Sequence, residues 1–410
     1  MNWITEHLGA EAILSVGDQV RAHVHNAIQH LSESVPVCSI FAHTGWRLVD
    51  GEAVFLHGGG ALGTQGPVEG AETRLEGGLA RFALPEPPDG DDLQEAVRAS
   101  LALLDVAPDQ VTAAILAMVY RAPLGQVDFS GFLVGPSGAG KSELAALAQQ
   151  HCGAGMDRLH LPASWSSTGN ALEGTAFQAK DVLGTGEDVP RGHSLRSRLI
   201  VIEVGPTDVD WARLSTLQDL AARGSLAAAM AGYLRWLAPE HDDEAARVQA
   251  RFQELRQAAA SSAAHRRTPA AIANLAIGFE RFLQFAEHVG AIDAEQRHRL
   301  WERAWRALGE LSEVQGEHLR AAEPTERFLG LLQAALASGE AHVAAPSGEP
   351  PDGAVAWGWR LRGGGNGEHE TGRWEPQGRR IGWLDEPTST WSPRHRSRPA
   401  SASARRRPNR

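Results

Sequence analysis

The sequence predicts an α/β fold: a P-loop nucleotide-binding core, a mixed α/β region before it and an α-helical half after it. Three observations predict this. Gly135-Pro-Ser-Gly-Ala-Gly-Lys-Ser142 is a full match to G-x-x-x-x-G-K-[ST]. An apolar run, Phe129-Ser-Gly-Phe-Leu-Val134, reads as a strand leading into it, and residues 142–150 read as an amphipathic helix leaving it. From residue 207 to residue 338 nearly everything reads as helical, with apolar residues such as Trp301, Trp305, Leu308 and Leu311 recurring at helical spacing.

Element by element, residues 18–32 read as a helix with Val20, Val24, Ile28 and Leu31 on one face. Residues 38–42 and 53–57 read as strands flanking 46–51, where Asp50-Gly51 suits a tight turn. His57-Gly-Gly-Gly60 reads as a glycine-rich hairpin end; no G-x-S-x-G elbow accompanies it, which removes lipase-like chemistry. The Pro-rich stretch 84–90 marks a boundary or surface loop, and 91–121 is helical. Residues 159–165 form a strand candidate, Asn170 and Glu173 open a helix running to about residue 180, and Arg198–Val204 is a buried strand. Thr207 and Asp208 are expected to cap one helix, and Thr268-Pro269 opens another. Trp301, Trp305, Leu308 and Leu311 form a core-facing stripe. The expected divisions are a mixed region 1–90, a P-loop core 91–206, a helical domain 207–345, a Gly/Trp-rich β region 346–386 and a disordered basic tail 387–410.

Composition closes several function classes. With 42% hydrophobic and 22% charged residues, the 410-residue chain is ordinary for a globular protein. It has no apolar run of 18 residues and no secretory leader pattern, so no membrane partner and a cytoplasmic location are expected. Two cysteines, Cys38 and Cys152, make neither a disulfide framework nor a thiolate zinc site. His23, His25 and His30 lie close in sequence but without a carboxylate or cysteine at metal spacing, and read as surface residues. The net charge is −11; residues 387–410 hold seven arginines and no acid, so the remainder carries −11 − 7 = −18. An acidic body does not wrap nucleic acid over its whole surface, so DNA contact must come from a local basic patch, a pore loop or the tail.

The loop specifies its own chemistry. Gly135, Pro136, Ser137, Gly138, Ala139, Gly140, Lys141 and Ser142 are the expected nucleotide-binding set, for ATP with Mg²⁺. The glycines let successive backbone N–H groups turn inward around a phosphate. Lys141 brings a cation to the β- and γ-phosphates, and the Ser142 hydroxyl is the expected protein ligand of Mg²⁺. A P-loop enzyme also needs an acid at the end of a second buried strand. That element is hard to find between Lys141 and Thr185. Leu199-Ile-Val-Ile-Glu203 is the one substitute by pattern; the plainer reading is a buried strand whose terminal Glu203 faces solvent.

Phe41-Ala-His-Thr-Gly-Trp-Arg47, His57-Gly-Gly-Gly60, the P-loop, and Leu161-Pro-Ala-Ser-Trp165-Ser-Ser-Thr-Gly-Asn170-Ala-Leu-Glu173 together resemble the domain of unknown function 927 family, over roughly residues 1–385. That family looks like AAA+ or superfamily-3-like ATPases and helicases of phages, plasmids and genomic islands. The resemblance implies an AAA+-like core, a ring-shaped homo-oligomer, action on DNA (single-stranded by expectation) and ATP hydrolysis. It assigns Thr185-Gly-Glu-Asp188 to a sensor loop and Arg191, Arg196 and Arg198 to the segment that supplies a trans-acting arginine finger, a role suited to a permanently charged fork. The catalytic set is therefore Lys141, Glu203, Arg196 and Arg198. In the family pattern Ala179-Lys-Asp-Val-Leu183 runs on into an acidic strand; here Leu183 abuts Gly184. This implies an internal deletion and impaired hydrolysis, and the change after Leu384 from family-like sequence to an Arg/Ser/Pro string implies a C-terminus altered as by a frameshift. The rival readings are a non-enzymatic nucleotide-binding remnant and a P-loop small-molecule kinase.

Overall fold

The computed structural model describes residues 17, 19–32, 38–125, 127–160, 163–164, 169–184, 186–187, 199–260, 268–321, 324–362 and 372–384. It is mixed α/β, with several small sheets and a helical C-terminal half. The chain divides into two compact units, Met1–Gly316 and Glu317–Arg410. Among the described residues no helix is long and apolar enough to cross a membrane.

The first unit opens with α1 (Val20–Leu31), none of whose residues is buried, then β1 (Ser39–Phe41). An antiparallel meander follows: β2 (Gly45–Val49), β3 (Glu52–His57), β4 (Gly60–Gly63) and β5 (Gly66–Pro67). Asp50 (φ 52°) and Gly51 (φ 85°) both take positive φ, the backbone that a two-residue hairpin turn with the native twist requires. β6 (Ala71–Thr73) returns to pair in parallel with β1. β3 is buried on both faces: Val54 and Leu56 meet Ala61 and Ala71, while Phe55 joins the main core.

That main core is built from α2 (Gly90–Leu101), α3 (Asp109–Arg121), β7 (Ser130–Val134) and α4 (Lys141–Gln150), and continues into the helices that follow. Of the strand expected at 159–165, Ala163–Ser164 form β8, paired with β9 (Gly186–Glu187), while 161, 162 and 165 lie outside the described residues; α5 (Gly169–Gln178) lies between β8 and β9 in sequence. β10 (Leu199–Glu203) then lies parallel to β7. α6 (Trp211–Ala222), α7 (Ser225–Leu237), α8 (His241–Ala260), α9 (Thr268–His288) and α10 (Ala294–Ala321) make up the helical part. α6 begins later than Thr207 and Asp208 suggested. Its cap is Asp210, whose carboxylate accepts from the Ala212 and Arg213 amides at 3.1 Å each, while Asp208 accepts from Gly205 N–H at 2.7 Å and closes the turn after β10. The tryptophan stripe behaves as read: Leu308 and Leu311 are buried, and Trp301 and Trp305 pack against the core.

Close helix approach organises this core. A Cβ on Gly278 of α9 would lie 2.3 Å from the Ala117 carbonyl of α3, so only glycine lets these helices cross at this point. Beside the crossing, the buried Arg121 guanidinium donates through Nε and Nη2 to Asn274 Oδ1 (3.0 and 2.8 Å) and through Nη1 to Gly125 O (3.1 Å).

The second unit holds α11 (Pro324–Ser338), β11 (Ala341–Ala344) paired in parallel with β14 (Arg379–Trp383), and the hairpin β12 (Trp359–Arg362) with β13 (Arg373–Pro376). Of the expected Trp357-Gly-Trp359 strand only the end is extended, because Ala354–Trp357 coil into a 3₁₀ turn. Gly358 then takes φ 81°, where a Cβ would meet Ala341 O at 2.3 Å.

Candidate phosphate-binding site

β7 delivers the chain to Gly135, and the loop turns at three glycines with positive φ: Gly135 (150°), Gly138 (82°) and Gly140 (86°). Each has its own reason. A Cβ on Gly135 would sit 2.1 Å from Val204 O, so glycine lets β10 run hard against the start of the loop. Gly138 has open space around it and needs glycine for its conformation alone. Gly140 is the left-handed N-cap of α4 and offers no side-chain acceptor, which leaves the first amides of the helix for an anion. Ala139 is buried and anchors the loop, whereas Pro136, Ser137 and Gly138 are exposed.

Lys141 folds back over this loop. Its ammonium donates to Gly135 O at 2.9 Å and Pro136 O at 2.7 Å. Ser142 is exposed on the first turn of α4. Glu143, next in line, is engaged elsewhere: it accepts from Gln218 Nε2 at 2.6 Å and pairs with Arg158 at 3.2 Å.

β10 brings Glu203 to the same end of the sheet, in register with Val134. Ile200, Ile202 and Val204 point into the core, so the alternation of a strand turns the exposed Glu203 to the opposite face. Gly135 and Glu203 thus lie at one end of the β7–β10 pair, from which the loop leads on to Lys141 and Ser142. Among the described residues no three His, Cys, Asp or Glu side chains gather to hold a metal. The donors present suit Mg²⁺ all the same, since that ion is commonly held by one or two side-chain oxygens together with phosphate oxygens and water.

Arg191, Arg196 and Arg198 lie outside the described residues, as do Trp165, Thr185 and Asp188. Sequence reading missed Val209 and Trp211. A Cβ on Gly140 would lie 3.0 Å from Val209 Cγ2 and 3.5 Å from Trp211 Cη2, so the segment after β10 forms the far lip of the loop. No short-range spacing signals this contact; only the pairing of β10 with β7 creates it.

A second cluster lies in a mostly apolar cavity lined by Phe55, His57, Cys152 and Asp181 among others. Its chemistry is quiet. His57 Nδ1 accepts from the Leu84 and Gly59 amides (3.0 and 3.2 Å), and burial pulls its pKa down to about 4, so the ring is neutral. Burial pushes the Cys152 thiol up to about 12, and a thiol held protonated is not a nucleophile. His57 and Gly60 face each other across the β3–β4 turn, the hairpin end expected for His57-Gly-Gly-Gly60. No protein-family model, no curated protein and no solved structure matches the chain.

Proposed function

We propose that this chain binds ATP with Mg²⁺ through residues 135–142 and works as an AAA+-like P-loop ATPase of the kind found in replication ATPases and helicases of mobile genetic elements. In this reading it acts on single-stranded DNA as a ring of identical subunits, with weakened hydrolysis. One observation carries the reading: a strand–loop–helix unit in which three positive-φ glycines curl the backbone and Lys141 spans the loop mouth.

The chemistry follows from these groups. Loop amides and the N-terminus of α4 attract a phosphate chain. Lys141 exchanges its two carbonyl partners for phosphate oxygens, a charge-assisted bond in place of two neutral acceptors. In this reading Ser142 would offer its hydroxyl, and Glu203 a carboxylate, to the metal. Mg²⁺, when bound, neutralises phosphate charge. In this reading Glu203 is also the acid that would orient an attacking water. A trans-acting arginine from Arg196 or Arg198 would complete the site of a neighbouring subunit.

Weak hydrolysis is supported by the size of the sheet. β7 and β10 pair only with each other among the described strands, and β10 ends in the single acid Glu203 rather than in paired acids. The same observation favours the second reading, a nucleotide-binding remnant without turnover. ATP binding and hydrolysis by the full chain, with and without single-stranded DNA, test both. We expect Lys141→Ala to weaken ATP binding by about tenfold or more. We expect slow, DNA-stimulated turnover that Glu203→Gln reduces further. Binding without turnover selects the remnant, phosphate transfer to a small acceptor selects a kinase, and ATP affinity unchanged in Lys141→Ala removes the loop from all of them.

A further inference from the structure

We propose that the indole of Trp211 is the stacking wall for the base of the bound nucleotide, so that the site selects purine nucleoside di- and triphosphates over bare polyphosphate. The inference rests on the reading of residues 135–142 as a phosphate loop.

Trp211 differs from the other described tryptophans of its unit. Trp46, Trp236, Trp301 and Trp305 all pack against the main core, whereas Trp211 is 51% exposed. An indole left in water forgoes on the order of 1–3 kcal/mol of burial. It is therefore informative where it stands: its Cη2 atom is 3.5 Å from the Cβ position of Gly140, at the lip of the glycine-rich loop.

The side chain is held there by a rigid base. Buried Val209 fills the space between the lip and the core, reaching 3.0 Å from the same Gly140 position. Asp210 caps α6, Trp211 is the first residue of that helix, and its carbonyl accepts the Ser215 hydroxyl at 2.8 Å. Arg213, on the same turn, is committed to Asp210 at 3.3 Å. In this proposal a phosphate chain seated on the loop amides places the nucleoside on the Gly140 side of the loop. The planar apolar surface on that side is the Trp211 indole. An aromatic face takes any base, and purines best because they present the larger π surface.

Calorimetric titration of the full chain with ADP and with pyrophosphate separates the possibilities. For Trp211→Ala we expect ADP binding weaker by roughly 5- to 150-fold, the range of one base–aromatic stack, with pyrophosphate affinity within about twofold of the parent. Trp211→Phe, which keeps a ring, should recover most of the loss and guards against a folding artefact; CDP should be less sensitive than ADP. Equal weakening of ADP and pyrophosphate would mean that the indole merely props Gly140, and unchanged ADP affinity would mean that it touches no base; either overturns the proposal. Failure of pyrophosphate to bind the parent protein overturns the phosphate-loop reading itself, and Lys141→Ala, which should weaken both ligands together, marks that case apart.

Discussion

At the scale of single residues, burial decides charge before chemistry does. His151 Nδ1–H donates to Leu147 O and Ala148 O (3.0 and 3.2 Å), which leaves Nε2 to accept from the Ser100 hydroxyl at 2.8 Å, and Ser100 in turn meets Tyr120 Oη at 2.9 Å. Burial pulls the pKa of His151, like that of His57, down to about 4. In the unfolded chain both titrate near about 6.5. The folded state therefore binds fewer protons across that interval, so stability is full above about pH 6.5 and is lost as pH falls through about 4, by roughly 3 kcal/mol per histidine. Thermal melts at stepped pH should show Tm falling across this window, and His151→Gln should flatten part of the fall; a profile with no such fall would contradict the neutral assignment. The loop glycines make the parallel case for backbone. Gly135→Ala should lose nucleotide binding and stability together, checked by calorimetry and melting, because its Cβ would lie 2.1 Å from Val204 O. That Gly135 must be glycine was legible in the motif. The cause, Val204, was not, because the motif says nothing of which strand lies alongside.

At the scale of elements, the two-stranded sheet is closed by a side chain. Val204 N–H donates to Val134 O at 2.8 Å, so alternate residues of β10 face β7, and those between them face outward. There Gln315 of α10 takes the part of a neighbouring strand: its Oε1 accepts from Val201 N–H and its Nε2 donates to Leu199 O, both at 2.9 Å. Gln315 is only 3% exposed. Gln315→Leu would keep the bulk and leave an N–H and a C=O buried without partners, for which we expect a loss of about 2–4 kcal/mol by urea denaturation. A loss under about 0.5 kcal/mol would mean that water replaces the amide. Gly278→Ala should be as damaging, since the added methyl runs into the Ala117 carbonyl, and separation of α9 from α3 would also disturb the Arg121–Asn274 pair. The existence of β10 and α10 was legible from apolar density and helical spacing. The role of Gln315 was half legible: it falls four residues after Leu311 on the stripe begun by Trp301, a polar residue where the pattern calls for an apolar one. What it bonds is a matter of tertiary placement, to which period and propensity are blind.

At the scale of the whole molecule, the two units carry separate hydrophobic clusters: the large one of the first, and the smaller ones around Val343 and Trp359 in the second. Separate cores melt as separate cooperative units, so scanning calorimetry should resolve two transitions; a single transition with matching calorimetric and van't Hoff enthalpies would show one unit instead. The broad class, mixed α/β followed by helices, was legible because hydrophobic period survives in any context. The width of the sheet was not, since it depends on what α10 does at a distance. Gln315 also governs how such a chain can grow. A rim sealed by a side chain accepts no new strand while that helix stays in position, so a segment spliced in after Leu183 would have to dislodge α10 or settle along the far side of β7. Insertions compatible with folding should therefore be those that leave α10 seated, and the tolerance of this region to added length would be set by a residue more than a hundred positions downstream.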